Sequence, residues 1–174
     1  MTRRNLPLSK VYQLLEPGPV VLLTTRRGDR ANIMTLSWLT MMEFEPPLVG
    51  CVISNRNYSF DTIKKTRECV INLPSVDLAE KVVACGNSSG SEINKFETFG
   101  LTAKSARYVA APLIDECFAN LECKVVDTGW VNKYCLFVLE VIQAWKDPAI
   151  KNPQTIHHQG KGHFIVDGEH LKLK

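Results

Sequence analysis

Two short stretches of this sequence gather the side chains best suited to holding a ligand. The first, Ser54-Asn55-Arg56-Asn57-Tyr58-Ser59-Phe60, sets hydroxyls, amides and one guanidinium between an apolar run and a helix-like segment. Unpaired N–H groups and the helix dipole favour an anion at such a junction, so Ser54, Asn55, Arg56 and Ser59 suit a phosphate. They equally suit an ordinary helix start, with Asn57 or Ser59 as the cap and Arg56 in solvent. The second stretch, Ala31 to Thr40, alternates Thr35 and Ser37 with Met34, Leu36 and Trp38, and has Asn32 near its start. A planar heterocycle with polar edges would find apolar bulk there and hydroxyls and amides within reach. An edge strand with solvated hydroxyls would read the same way.

Other chemistry is less well supported. There is no Gly-x-Gly-x-x-Gly after a strand and no Walker-type loop, which disfavours the dinucleotide and P-loop folds. His157-His158 with His163 invites a metal reading, but the spacing matches no ligand pattern, and a polar loop bordering a ligand groove is the alternative. None of the six cysteines forms a Cys-x-x-Cys pair, and several lie in apolar runs, where a reduced thiol behaves as a small hydrophobe. Trp130 and Trp145 read as packing residues, although either could stack on a planar ligand.

The elements that must position these residues are mainly β. A helix is expected over Ser9 to Glu16, with Val11, Leu14 and Leu15 on one face, stopped by Pro17-Gly18-Pro19. Strands are expected at Pro19 to Thr25 and Ala31 to Thr40, joined through Arg27-Gly28-Asp29-Arg30, and at Leu48 to Ser54 after Pro46-Pro47. A helix over Tyr58 to Arg67, a strand at Cys69 to Leu73 and a helix over Val76 to Ala84 follow, then a polar loop from Gly86 to Ser91. Strands Phe118 to Asp127 and Tyr134 to Trp145 come next, with Pro148 to Gly162 a loop. A hairpin of Phe164-Ile165-Val166 and Leu171-Lys172-Leu173 closes the chain. The expected architecture is a curled antiparallel sheet with helices at its periphery, in one domain over residues 1–174.

Composition agrees with such a domain: 45% of the 174 residues are hydrophobic, enough for a sizeable core. The 21 basic and 18 acidic residues are interspersed, so no nucleic-acid footprint stands out. No secretory leader or membrane-spanning apolar run is read, which makes a cytoplasmic protein without membrane or nucleic-acid partners the expectation.

Taken in order, Asn32-x-Met34-Thr35-x-Ser37-Trp38, Pro46-Pro47-Leu48-Val49-Gly50-Cys51-Val52-Ile53-Ser54, Asn57-Tyr58-Ser59-Phe60 and Thr66-x-Glu68-Cys69-Val70-Ile71-Asn72-Leu73-Pro74 resemble the flavin reductase-like and flavoredoxin family. Cys85-Gly86-x-x-Ser89-Gly90-x-x-x-Asn94-Lys95-Phe96 and Leu113-Ile114-x-Glu116-Cys117 are similar too, so the resemblance covers about the whole chain. It implies an FMN-binding split β-barrel and a homodimer with the flavin at the subunit interface. Carried over by position, Asn32, Met34, Thr35, Ser37 and Trp38 would line the flavin. Ser54, Asn55, Arg56 and Ser59 would hold its phosphate end, with Asn94 and Lys95 completing the pocket from the same or the partner subunit. Lys95 near the pyrimidine end would stabilise reduced flavin and raise its potential.

The function implied is an FMN-dependent NAD(P)H oxidoreductase, passing hydride or electrons to a flavin or redox-protein acceptor, with no catalytic triad and no metal. A flavoredoxin-like electron carrier without NAD(P)H activity is the alternative, and a flavin sensor or store a third.

Overall fold

The computed structural model describes residues 3–15 and 18–173. The strands are β1 (Arg4–Asn5), β2 (Val21–Arg27), β3 (Arg30–Leu36), β4 (Leu39–Phe44), β5 (Pro47–Val52), β6 (Glu68–Leu73), β7 (Ala103–Lys104), β8 (Leu113–Ile114), β9 (Ala119–Asp127), β10 (Leu136–Lys146), β11 (Ile156–Gly160) and β12 (His163–Val166). The helices are α1 (Tyr12–Leu15), α2 (Tyr58–Thr66), α3 (Ala79–Gly86), α4 (Lys95–Thr98) and α5 (Val131–Tyr134).

Seven strands pair in the order β3-β2-β6-β9-β10-β5-β4, and β1 adds to β10. Every pairing is antiparallel. The sheet curls without β3 meeting β4, so the barrel is split rather than closed. Alternate residues point inward, as the two-residue repeat of a strand requires. Val21 and Leu23 of β2, Ile71 of β6, Leu121 of β9 and Phe137 and Leu139 of β10 meet in the main core. The opposite face of β2 and β3, through Val20, Leu22 and Ile33, packs on Val82 and Cys85 of α3 and Phe96 of α4. That second layer holds α3 and α4 against β3.

The sequence expectations hold for the main hairpin, for β5, β6 and β9, and for helices α2 and α3. Four differ. The strand expected over Ala31 to Thr40 is two strands: β3 ends at Leu36, the chain leaves the ladder at Ser37-Trp38, and β4 resumes at Leu39 on the far edge of the sheet. Alternation of polar and apolar residues runs from Met34 to Trp38 and slips by one at Leu39, where two apolar residues adjoin; that single slip is the only local mark of the crossing. The N-terminal helix is a single 3-10 turn at Leu8–Lys10 followed by α1, and Glu16 and Pro17 lie outside the described residues.

The strand expected from Tyr134 begins at Leu136, because Val131–Tyr134 forms a helical turn closed by Cys135 in the left-handed region at φ 57°. The closing hairpin is shifted upstream. Ile156–Gly160, expected within a loop, pairs with His163–Val166, while residues 171–173 form no strand. Buried Ile156 anchors this hairpin, and the left-handed φ values of Gly160, Lys161 and Gly162 make its turn.

Candidate functional site

The connection from β5 to α2 and the start of α2 form one wall of the site. Asn57 caps α2 in an extended conformation, which leaves the first N–H groups of this nine-residue helix open. Within the first turn, Ser59 is fully buried. Its Oγ accepts from Asn32 Nδ2 at 2.9 Å and from Thr25 Oγ1 at 3.4 Å. A hydroxyl that already accepts twice has its own proton left to donate.

The second wall is β3, the end strand of the sheet, whose outer edge pairs with no strand among the described residues. Asn32, Met34 and Thr35 border the cavity from it. An unpaired strand edge offers alternating N–H and C=O groups, the complement of a heterocycle's amide edge. The roof is the loop after α3. Ser88 Oγ donates to the Ala84 carbonyl at 2.8 Å, Ser89 and Ser91 share a hydrogen bond at 2.7 Å, and Arg30 Nη2 donates to the Gly90 carbonyl at 2.5 Å. The same guanidinium lies over the Tyr58 ring, 5.2 Å from its centroid. Gly90 is required here: a Cβ would lie 2.0 Å from Asn32 Oδ1 and 2.9 Å from Tyr58 Cδ1. The loop can approach β3 and α2 this closely only without a side chain.

The floor is α4. Lys95 is only 4% exposed, yet its ammonium has one hydrogen bond among the described residues, to the Cys85 carbonyl at 2.6 Å. No carboxylate among the described residues pairs with it. Burial lowers its pKa from the ordinary lysine value, with a smaller opposing effect from Cys85. Burial also pushes the neighbouring Cys85 thiol up to about 11, so that wall stays neutral.

These walls border an open polar pocket of about 150 Å³ that unites Asn32, Met34, Thr35, Arg56, Ser59 and Lys95 within one chain. The remaining residues singled out from the sequence sit elsewhere. Ser54 and Asn55 are exposed in the turn before α2, where Ser54 Oγ accepts from the Arg56 N–H at 3.2 Å. Asn94 caps α4 through the Phe96 N–H and faces a separate groove beside Arg26 and Glu97. Ser37 borders an adjoining cavity, and Trp38 is 71% exposed at the crossing into β4. Residues not singled out for the site also shape it: Tyr58, Cys85 and the Ser88–Gly90 loop line it, and Thr25 orients Ser59. Their signal in the sequence was the glycine-and-serine composition of the loop after α3.

Elsewhere, Trp145 is a packing residue, with Nε1 donating to Glu122 at 2.8 Å, while half-exposed Trp130 stacks on Tyr134. His157 bonds to the Gly18 carbonyl and to Thr155, and no group of three metal-ligating side chains occurs among the described residues. No described helix is long and apolar enough to cross a membrane.

An uncharacterized protein of Pyrococcus abyssi is 36% identical over 131 residues, 75% of each chain. The FMN-binding domain of a flavin reductases-like enzyme from Shewanella baltica superposes with a TM-score of 0.94 over 99% of this chain and 98% of that one, at 26% identity. Flavoredoxin of Desulfovibrio vulgaris shares the fold, with a TM-score of 0.81 over 90% of each chain at 22% identity. The family model for the flavin reductase like domain matches residues 14–165, and the chain belongs to that family.

Proposed function

We propose that this chain is an FMN-binding oxidoreductase whose flavin lies along the β3 edge with its phosphate end toward the start of α2. The observation that carries this reading is Lys95: a buried ammonium with a single carbonyl partner, facing a polar cavity. A buried charge is costly unless paired, and an anionic ligand would supply the missing partner. The Gly90 cradle and the spare Ser59 proton fit the same ligand. Arg56, at the exposed mouth, would meet phosphate without being buried by it.

Bound FMN supplies the hydride or electron transfer itself. The chain's residues do the rest. Asn32 and the β3 edge would orient the ring, Lys95 would set a positive charge against it, and the Ser88–Gly90 loop would exclude water. NAD(P)H is the donor in this reading, and a flavin or redox protein the acceptor. A second copy of the chain completes the site, which is supported by the exposed Trp38, Met42 and Phe44 along the edge strand β4 and its approach.

The test is an absorbance spectrum of the protein incubated with FMN and desalted, followed by anaerobic NADH and then NADPH. Retained flavin that bleaches with a nicotinamide is the expected result. Bleaching by dithionite alone assigns an electron carrier instead, and failure of FMN to bind overturns the reading.

A further inference from the structure

The C-terminal end of α2 meets α5 in a surface that the flavin pocket does not use. Lys64 Nζ donates to Asn132 Oδ1 at 3.1 Å and Arg67 Nη1 to Thr128 Oγ1 at 3.1 Å, which holds both cations beside the turn into α5. Lys133 Nζ lies over the Tyr134 ring, 5.0 Å from its centroid. Trp130 and Tyr134 stack on each other, with centroids 5.6 Å apart and planes 26° from parallel, and each is about half exposed. None of the three cations pairs with a carboxylate among the described residues. The acids near them in sequence do other work. Glu68 takes Lys124 at 2.5 Å, and Asp127 accepts from the Gly129 N–H at 2.6 Å, while Asp61, one turn before Lys64, forms no ion pair with it.

Two surface rings that brace each other lose little freedom when a partner covers them, and tryptophan, tyrosine and arginine are the residues that concentrate binding energy at interface centres. Unpaired cations around such a plate attract and steer an acidic surface. A second copy of the chain fits worse, because a two-fold pairing would set the three cations against themselves. Nucleic acid also fits worse, since each ring already covers a face of the other and leaves less for bases to stack on. The surface is joined to the flavin pocket through the chain: α2 begins in the pocket wall, and the Ile53 N–H donates to the Cys135 carbonyl at 3.0 Å, fastening the end of α5 to the segment that leads to Arg56. We propose that the Trp130–Tyr134 plate, with Lys64, Arg67 and Lys133 around it, docks an acidic electron-transfer protein. Its use for electron exchange, with reduced flavin as donor and the partner's oxidised centre as acceptor, rests on the proposed function, whereas docking does not.

An iron–sulfur ferredoxin and a flavodoxin, both acidic, are the probes, with a basic c-type cytochrome and a short oligothymidylate as controls. Each is titrated into the full chain, with and without FMN, by calorimetry at low and at high salt. The acidic proteins are expected to bind in either form, to move the Trp130 indole N–H signal, and to weaken about tenfold at high salt. Trp130→Ala should weaken them at least about tenfold, as loss of a central aromatic does. Lys64→Glu with Lys133→Glu should act in the same direction and more strongly than Lys64→Gln with Lys133→Gln, while FMN retention and the urea midpoint stay those of the parent. Cytochrome binding as tight as ferredoxin, tighter binding of oligothymidylate, no binding by either acidic protein, or unchanged affinity in the variants would overturn the proposal. So would self-association of the chain that is lost in Trp130→Ala, which assigns the surface to a second copy. If FMN is not retained, the flavin reading fails while the FMN-free titrations still decide this one.

Discussion

Two buried charges in this protein are held in opposite ways. Glu122 on β9 is fully buried and saturated: it accepts from the Arg107 N–H, the Tyr108 N–H and Trp145 Nε1, at 3.0, 2.6 and 2.8 Å. Lys95 on α4 is almost as buried and has one carbonyl. Burying a charge is tolerable when its hydrogen-bonding capacity is filled, and Glu122 meets that condition within the fold. Lys95 does not, and it lines a polar pocket. The contrast separates a charge that fastens a loop to the sheet from one that, in the proposed function, a ligand would pair. It also explains why the two must respond differently to removal.

The largest effect is expected at the saturated site. Glu122→Leu would leave three N–H donors without their acceptor and should cost about 3 kcal/mol of stability in urea unfolding, with FMN affinity nearly unchanged. A variant as stable as the parent would show that Glu122 is dispensable and dissolve the comparison. Lys95→Met should do the reverse. Loss of a charge-assisted contact to the ligand predicts FMN affinity down at least tenfold, about 1.5–3 kcal/mol, while the apo protein stays as stable or gains.

The pH dependence has a definite sign. The folded Lys95 pKa is depressed by burial, so the cost of its buried charge in the apo fold is present below that depressed value and is relieved as pH rises through it. The attraction for FMN disappears over the same interval, below the ordinary lysine pKa. Affinity should therefore fall as pH rises toward the ordinary lysine range in the parent and stay flat in Lys95→Met; parallel profiles in a fluorescence titration would remove Lys95 from the site.

How much of this was legible in the sequence divides along the same line. Period-two alternation and turn residues located β2, β5, β6 and β9, because burial on one or both faces imposes a local pattern. The order of motifs pointed to the α2 junction and to Asn32, Met34 and Thr35 on β3. What stayed hidden was non-local. The exit from the sheet at Ser37-Trp38 is marked locally only by the adjacent apolar pair Trp38-Leu39, and the strand at Ile156–Gly160 is defined by a partner rather than by its own polar composition. The solitary state of Lys95 and the saturation of Glu122 depend on residues 10 to 23 positions away in sequence. A lysine followed by phenylalanine in a sequence carries no mark of whether its charge will be paired.

Gly90 tests whether the roof over Lys95 must sit as close as it does. In Gly90→Ala the added Cβ would overlap Asn32 Oδ1, so the loop must lift away from β3 and from the Tyr58 ring. A roof raised in this way admits water to the Lys95 side of the cavity. FMN affinity is expected to fall roughly fivefold, with a stability loss under about 1 kcal/mol. Unchanged affinity would mean that the ligand does not use the space beneath this loop.

The smallest effect is expected in the polar network that supports the saturated side. Arg3 donates to Asn120 Oδ1 at 2.7 Å, to Asp115 Oδ1 at 2.5 Å and to the Ile114 carbonyl at 2.9 Å, and Asn120 in turn donates to Asn72 Oδ1 at 2.8 Å. Partial burial raises the Asp115 pKa, but the Arg3 hydrogen bond and charge outweigh it and hold the carboxyl below its usual value. A depressed carboxylate contributes stability that is full above its unfolded pKa and is lost as pH falls through the folded value. Parent and Arg3→Ala should thus differ by under about 1 kcal/mol at pH 7 and converge in acid, as read from urea midpoints over that range. A gap that persists after Asp115 is protonated would assign the stabilisation to the Asn120 and Ile114 contacts instead, making Arg3 a hydrogen-bonding anchor rather than an ion-pair partner.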